Sequence, residues 1–146
     1  MKLFAAIAVL ISVIIINDKF ADAMWAKQTD AELIEQSDII VTAELIGHTQ
    51  VTINHVIIGM GALKVAETLK GDKEQTVILL KLPLIETPHS STDIFYKKGQ
   101  SGLWFLRELK REGFEGIYLA NHPQSFISIE NAGEQIKVLR KGIKNN

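Results

Sequence analysis

The chain contains no cysteine among its 146 residues. That absence excludes a disulfide framework, a thiol nucleophile, a Cys-ligated zinc site and a lipidated N-terminal cysteine. A small domain without such staples must be held by its apolar core alone. Proline is scarce, at three residues, and aromatic side chains make up only 7%. An excess of one charge is also missing, since 16 basic and 17 acidic residues leave a formal net charge of −1. No global field therefore draws the chain to nucleic acid or to acidic lipid. There is no internal repeat and no low-complexity tract.

Long hydrophobic runs are limited to one, and it lies at the start. Lys2 precedes an apolar run over residues 3–16, in which Ser12 is the one polar residue, followed by Asn17-Asp18-Lys19 and then Ala21-Asp22-Ala23. This is the order of a basic n-region, an h-region and a small-x-small cleavage site. The run is 14 residues long, whereas a membrane-spanning helix needs about 20. Cleavage after Ala23 is expected, with residues 1–23 as a signal peptide and 24–146 as a single β-rich domain whose core covers about 37–130. The protein is then exported, periplasmic or secreted, with no stable membrane span after cleavage. The alternative is an uncleaved membrane anchor.

Within the remaining chain, Thr29-Asp30-Ala31-Glu32 has the spacing of a capping box, which predicts a short helix ending near Ser37-Asp38. Ile39, Val41, Ala43 and Leu45 then alternate with Thr42 and Glu44 as in a half-buried strand. A second alternating run through Val51, Ile53 and Ile57 predicts a hairpin turn at residues 47–50. Gly59-Met60-Gly61 suggests a bulge, and Leu63, Val65 and Leu69 continue the strand up to a turn at Lys70-Gly71-Asp72-Lys73, where Gly71 supplies a positive φ. Residues 76–82 read as a strand covered on both faces and 85–100 as the longest loop. Leu103-Trp104-Phe105-Leu106 resumes the core, residues 117–120 and 126–129 are short strands, and Ile136, Leu139 and Ile143 keep helical spacing.

Short strands with regular turn signals and no βαβ alternation predict a mainly β fold. The expected form is a small antiparallel barrel, OB-like and of five to six strands, with a short N-terminal helix and a possible C-terminal helix; an open sandwich is the second choice. The stretches Ser37-Asp38-Ile39-Ile40-Val41, Leu69-Lys70-Gly71-Asp72, and Gly99 with Leu103-Trp104-Phe105-Leu106 resemble small exported OB-barrel proteins of the netrin and tissue-inhibitor-of-metalloproteinases type. The resemblance spans about residues 37–120 and implies a barrel scaffold and a binding role. Its metal-capping inhibition does not carry over, because that mechanism uses an N-terminal cysteine and this chain has none.

Four groups of polar residues raise the question of chemistry. His89, Ser90, Ser91 and Asp93 hold the residue types of an acyl-transfer triad, but neighbours in one loop lack the scaffold that aligns base and nucleophile. The histidines His48, His55, His89 and His122 show no metal-ligand spacing, and a partly buried His55 and a surface His48 are expected instead. Glu67 shares the register of Leu63, Val65 and Leu69, which makes it a polar floor to a ligand site, a barrel-rim position, or the mark of a bulge that turns it outward; Lys70 lies close by. The basic residues Lys137, Arg140, Lys141 and Lys144, with Lys97-Lys98 and Lys110-Arg111, form either a solvated surface or a face for an anionic partner. Trp104 and Phe105 are read as core.

The expectation is an exported, non-catalytic binding or inhibitor-like domain that takes a protein or envelope ligand. Its candidate ligand-binding residues are Glu67, Lys70, His89 and His122; no catalytic residue, metal, cofactor or nucleic-acid partner is expected. The alternative is a small exported hydrolase that pairs His89 or His122 with a serine.

Overall fold

A computed structural model describes residues 25–86, 90 and 92–144; the signal peptide expected over residues 1–23 lies outside them. The capping box forms as its spacing predicts. Thr29 accepts from the Glu32 N–H, and the Glu32 carboxylate accepts from the Thr29 N–H, at the start of α1 (Asp30–Gln36). Two long strands follow, β1 (Ile39–Ile53) and β2 (Val56–Lys70), and then β3 (Val77–Leu82), β4 (Ser101–Glu108), β5 (Ile117–Leu119), a 3-10 turn (Pro123–Ser125), β6 (Phe126–Ser128) and α2 (Gly133–Lys144).

The fold is mainly β, a six-stranded mixed sheet in which β1, β2, β3, β5 and β4 form a ring as β4 pairs back onto β1. The expected antiparallel arrangement is corrected at one place, because β3 and β5 run parallel. The reason is geometric. Strand directions cannot alternate all the way round a ring of five, so one neighbouring pair must share a direction.

The hairpin turn expected at residues 47–50 lies at Asn54-His55, both at positive φ. A two-residue loop of this kind matches the twist of its flanking strands, and Asn tolerates the left-handed region better than most residues. His55 is accordingly exposed at the hairpin tip, and not partly buried as expected. Gly59-Met60-Gly61 is not a bulge, for Gly59, Met60 and Gly61 pair in order with Leu82, Lys81 and Leu80. Glycine is needed at 59 because a Cβ there would stand 2.6 Å from the Leu82 carbonyl oxygen. The irregularities fall elsewhere, at Ile46 on β1 and at Ala66 and Leu69 on β2, where the pairing register shifts. Extra residues of this kind bend and twist a strand, and here they let β1 pair with both β2 and β4.

Two apolar layers result. Inside the ring, Val41, Ala43, Leu45, Leu63, Ile78, Leu80, Trp104 and Leu106 pack together. On the other side of β1 and β4, Ile40, Leu69, Leu103 and Phe105 meet Leu33 of α1 and Ile136 and Leu139 of α2. Residues 103–106 are thus buried on both faces, as their continuous apolar run indicates. β3 differs from expectation. It is covered on one face only, with Val77 47% and Leu79 43% exposed, because among the described residues no helix lies over its outer side. Among the described residues no helix is long and apolar enough to cross a membrane.

Candidate functional site

Of the four residues singled out for ligand binding, His89 lies outside the described residues, and Glu67, Lys70 and His122 each bond to a different part of the chain. Glu67 leaves the face of Leu63 and Val65 because the register shift beside Ala66 turns it toward α2. There its carboxylate accepts two hydrogen bonds from Arg140, from Nε at 2.9 Å and from Nη2. The Arg140 hydrogen bonds hold the Glu67 carboxyl below the usual carboxylate range. Both side chains remain substantially solvated, so the pair contributes at most about 1 kcal/mol.

A pH test follows from the sign of that shift. The folded-state pKa is depressed, so the stabilisation is present above the unfolded-state carboxylate value and disappears as pH falls through the folded value. Glu67→Gln should lower stability by up to about 1 kcal/mol at neutral pH. Denaturant titrations of the two proteins should converge in acid, and a gap that persists there would mean that Glu67 acts through something other than its charge.

Lys70 reaches the end of α1. Its ammonium donates to the carbonyls of Ile34, at 2.8 Å, and Ser37, with Glu35 farther off at 3.5 Å. The last carbonyls of a helix have no intrahelical partner, and a cation there also meets the negative end of the helix dipole. Lys70 is thereby committed to holding α1 against the sheet. Ser37 closes the same end by donating its hydroxyl to the Leu33 carbonyl.

His122 is buried and fastens the segment that precedes α1. Its Nδ1 accepts from the Gln124 N–H at 3.1 Å, which leaves the proton on Nε2, 3.2 Å from the Ala26 carbonyl. Trp25 stacks edge-on against the ring at 5.2 Å. Gln124 adds a two-way amide clamp, donating to the Gln28 carbonyl and accepting from the Gln28 N–H. With both ring nitrogens spent on backbone groups, His122 has no free lone pair with which to deprotonate a serine.

His89 and Ser91 lie outside the described residues. Of their neighbours, Ser90 donates its N–H to the Asp93 carboxylate and shares a hydrogen bond with Thr92, which is the bonding of a local turn. Among the described residues no three His, Asp or Glu side chains converge as a metal site.

What was not legible in the sequence is a set of surface concavities. One, of about 290 Å³, lies between the hairpin tip, the end of β3 and the β4–β5 loop, with Ile57, Lys81, Pro83, Leu109, Arg111 and Phe114 among its walls. Arg111 stacks over the Phe114 ring at 5.0 Å. Phe114 in turn seals a small cluster with Ile58, Met60 and Ile117, so the β4–β5 loop is packed onto the sheet. A second, of about 550 Å³, lies between α1, α2 and the end of β2, lined by Ile34, Leu69, Lys73 and Leu139. The one signal for the first cleft was Arg111-Glu112-Gly113-Phe114, an aromatic in a glycine-containing turn, and it gives no hint of which strands the loop will meet. Compared with known proteins, the chain matches no protein-family model and none of the curated proteins.

Proposed function

We propose that this chain is an exported, non-catalytic binding domain of OB-barrel type that takes a protein or envelope ligand. The five-strand ring with a parallel β3–β5 contact supports the OB-barrel reading, and OB barrels bind ligands on the β2–β3 face between the β1–β2 and β4–β5 loops. The likeness to netrin-type modules belongs to the same proposal. It rests on the fold level, and fold alone does not fix function.

The observation that carries the reading is the cleft between the hairpin tip and the β4–β5 loop. Ile57 is 56% exposed there and Val56 39%, while the Arg111 guanidinium sits over the Phe114 ring. Exposed aliphatic side chains beside an arginine and an aromatic are the composition of protein-binding surfaces. The walls are of mixed charge, Lys81 and Arg111 against Asp93, which favours a partner with both apolar and polar groups over a polyanion.

The test is capture from the exported fraction with the wild-type chain and with Ile57→Lys. Because Ile57 is largely solvated, the variant should keep its thermal midpoint while losing about ten-fold or more in affinity for its partner, as interface hot spots do. Equal binding by the variant would remove the cleft from the proposal. Export has its own check. N-terminal sequencing of the exported form should read Met24-Trp25-Ala26, which leaves Trp25 next to the new terminus and docked on His122. A full-length mass retained in membranes would replace cleavage with anchoring.

A further inference from the structure

We infer that the outer half of β1 is a self-association edge, at which a second copy of this chain adds its own β1 in antiparallel register. The β1–β4 ladder ends at Glu44 and Ser101, with Leu45 and Gly99 making the last backbone bonds on that side. From residue 46 to 53, β1 pairs with β2 only. Among the described residues nothing bonds to its other edge, so alternate N–H and C=O groups point outward without a protein partner. Such an edge is a template for another strand, and proteins usually blunt it with lysine, proline or a covering loop. Gly47-His48-Thr49-Gln50-Val51-Thr52-Ile53 contains no charge and no proline.

The side chains of this strip select a second copy as the occupant. Two-fold antiparallel pairing about Gln50 sets Gly47 opposite Ile53 of the partner subunit and Thr49 opposite Val51 of the partner subunit, all on the outer face of the sheet. Gly47 has open space where a Cβ would stand. It borders a shallow groove of about 550 Å³ whose walls include Thr49, Val51, Met60, Ala62 and Leu79. The smallest residue of the strip therefore meets its largest aliphatic one, and the two copies make the same contact twice. On the opposite face, His48 comes opposite Thr52 of the partner subunit. Because the strip carries no charge, no like-charged pair opposes the pairing.

The inference is independent of the ligand cleft and is tested by self-association. Sedimentation of the isolated chain, its N-terminus read by intact mass, should show a concentration-dependent dimer. Replacing Thr49, Gln50 and Thr52 together by lysine places like charges along both edges and should weaken the dimer by about ten-fold or more. These three side chains are exposed, so the fold should persist. Mixing that variant with the matching triple glutamate variant should restore association as a heterodimer. Hydrogen exchange on the wild type supplies a readout that needs no variant: amides of residues 46–53 should slow as concentration rises. A wild type that stays monomeric, a lysine variant that dimerises as tightly as the wild type, or exchange at 46–53 that ignores concentration would each overturn the inference.

Discussion

Trp104→Ala is expected to be strongly damaging, costing about 3–5 kcal/mol. Trp104 is fully buried inside the ring, its indole N–H donates to the Ala43 carbonyl at 3.0 Å, and its ring meets Tyr96 at 4.9 Å and Phe126 at 4.5 Å. Truncation opens a cavity the size of an indole and removes the hydrogen bond from the indole to the Ala43 carbonyl. Tyr96 would lose its main ring contact, and with it part of the burial that raises its phenol pKa and holds the following loop to the Ala120 carbonyl. Against a total stability of about 5–15 kcal/mol, the variant should melt more than about 10 °C below the wild type. Trp104→Phe, which keeps most of the volume and loses the N–H, should lie between the two. A loss below about 1 kcal/mol for the alanine variant would mean that β1, β4 and the 96–100 segment do not close around this side chain.

The second large effect is expected at Gly71, in the turn that follows β2. Its φ is +101°, and a Cβ built there stands 2.8 Å from Cγ1 of Ile39, itself buried in the ring. Gly71→Val therefore combines a backbone penalty of about 1–2 kcal/mol with an overlap of about 1–3 kcal/mol. Gly116→Val separates the two terms, since Gly116 is also at positive φ but has nothing within 4 Å of its Cβ position. Thermal or denaturant unfolding should rank the wild type first, Gly116→Val second and Gly71→Val last. If the two valine variants unfold together, the contact with Ile39 is not made and the start of β1 lies elsewhere.

Both positions were visible before any fold was known, and for the same reason: their signals are local. Gly71 closes an alternating run within five residues. Trp104 sits in four consecutive apolar residues that need cover on both faces, and the ring core and the helices provide it. The capping box of α1 spans only Thr29 to Glu32, so its geometry is specified by four neighbours.

Glu67 shows where local reading ends. Alternation counted from Leu63 places it with the ring core, yet one unpaired residue, Ala66, reverses the parity of everything after it. The bulge was one of three readings that the sequence allowed, and the choice depended on Arg140, 73 residues away. Lys70 and His122 follow the same logic. Each is tied to backbone carbonyls from another part of the chain, and a carbonyl offers the same bond from any residue type, so no sequence pattern marks it.

The hairpin was misplaced for a related reason. Gly47 looks like a turn residue, but β1 and β2 run on past it because continued pairing satisfies more backbone groups than an early turn, and Asn54-His55 can adopt the left-handed conformation. By itself the sequence determined the β-rich class, the short helix, the positions of most strands and the residues that must be buried, because these rest on periodicity and on steric rules that act over a few residues. Only the tertiary structure decided the ring and its parallel closure, the bulges, the partners of Glu67, Lys70 and His122, and the free edge of β1. Each of these depends on which distant segments meet, and the energy of that meeting is spread over the whole core.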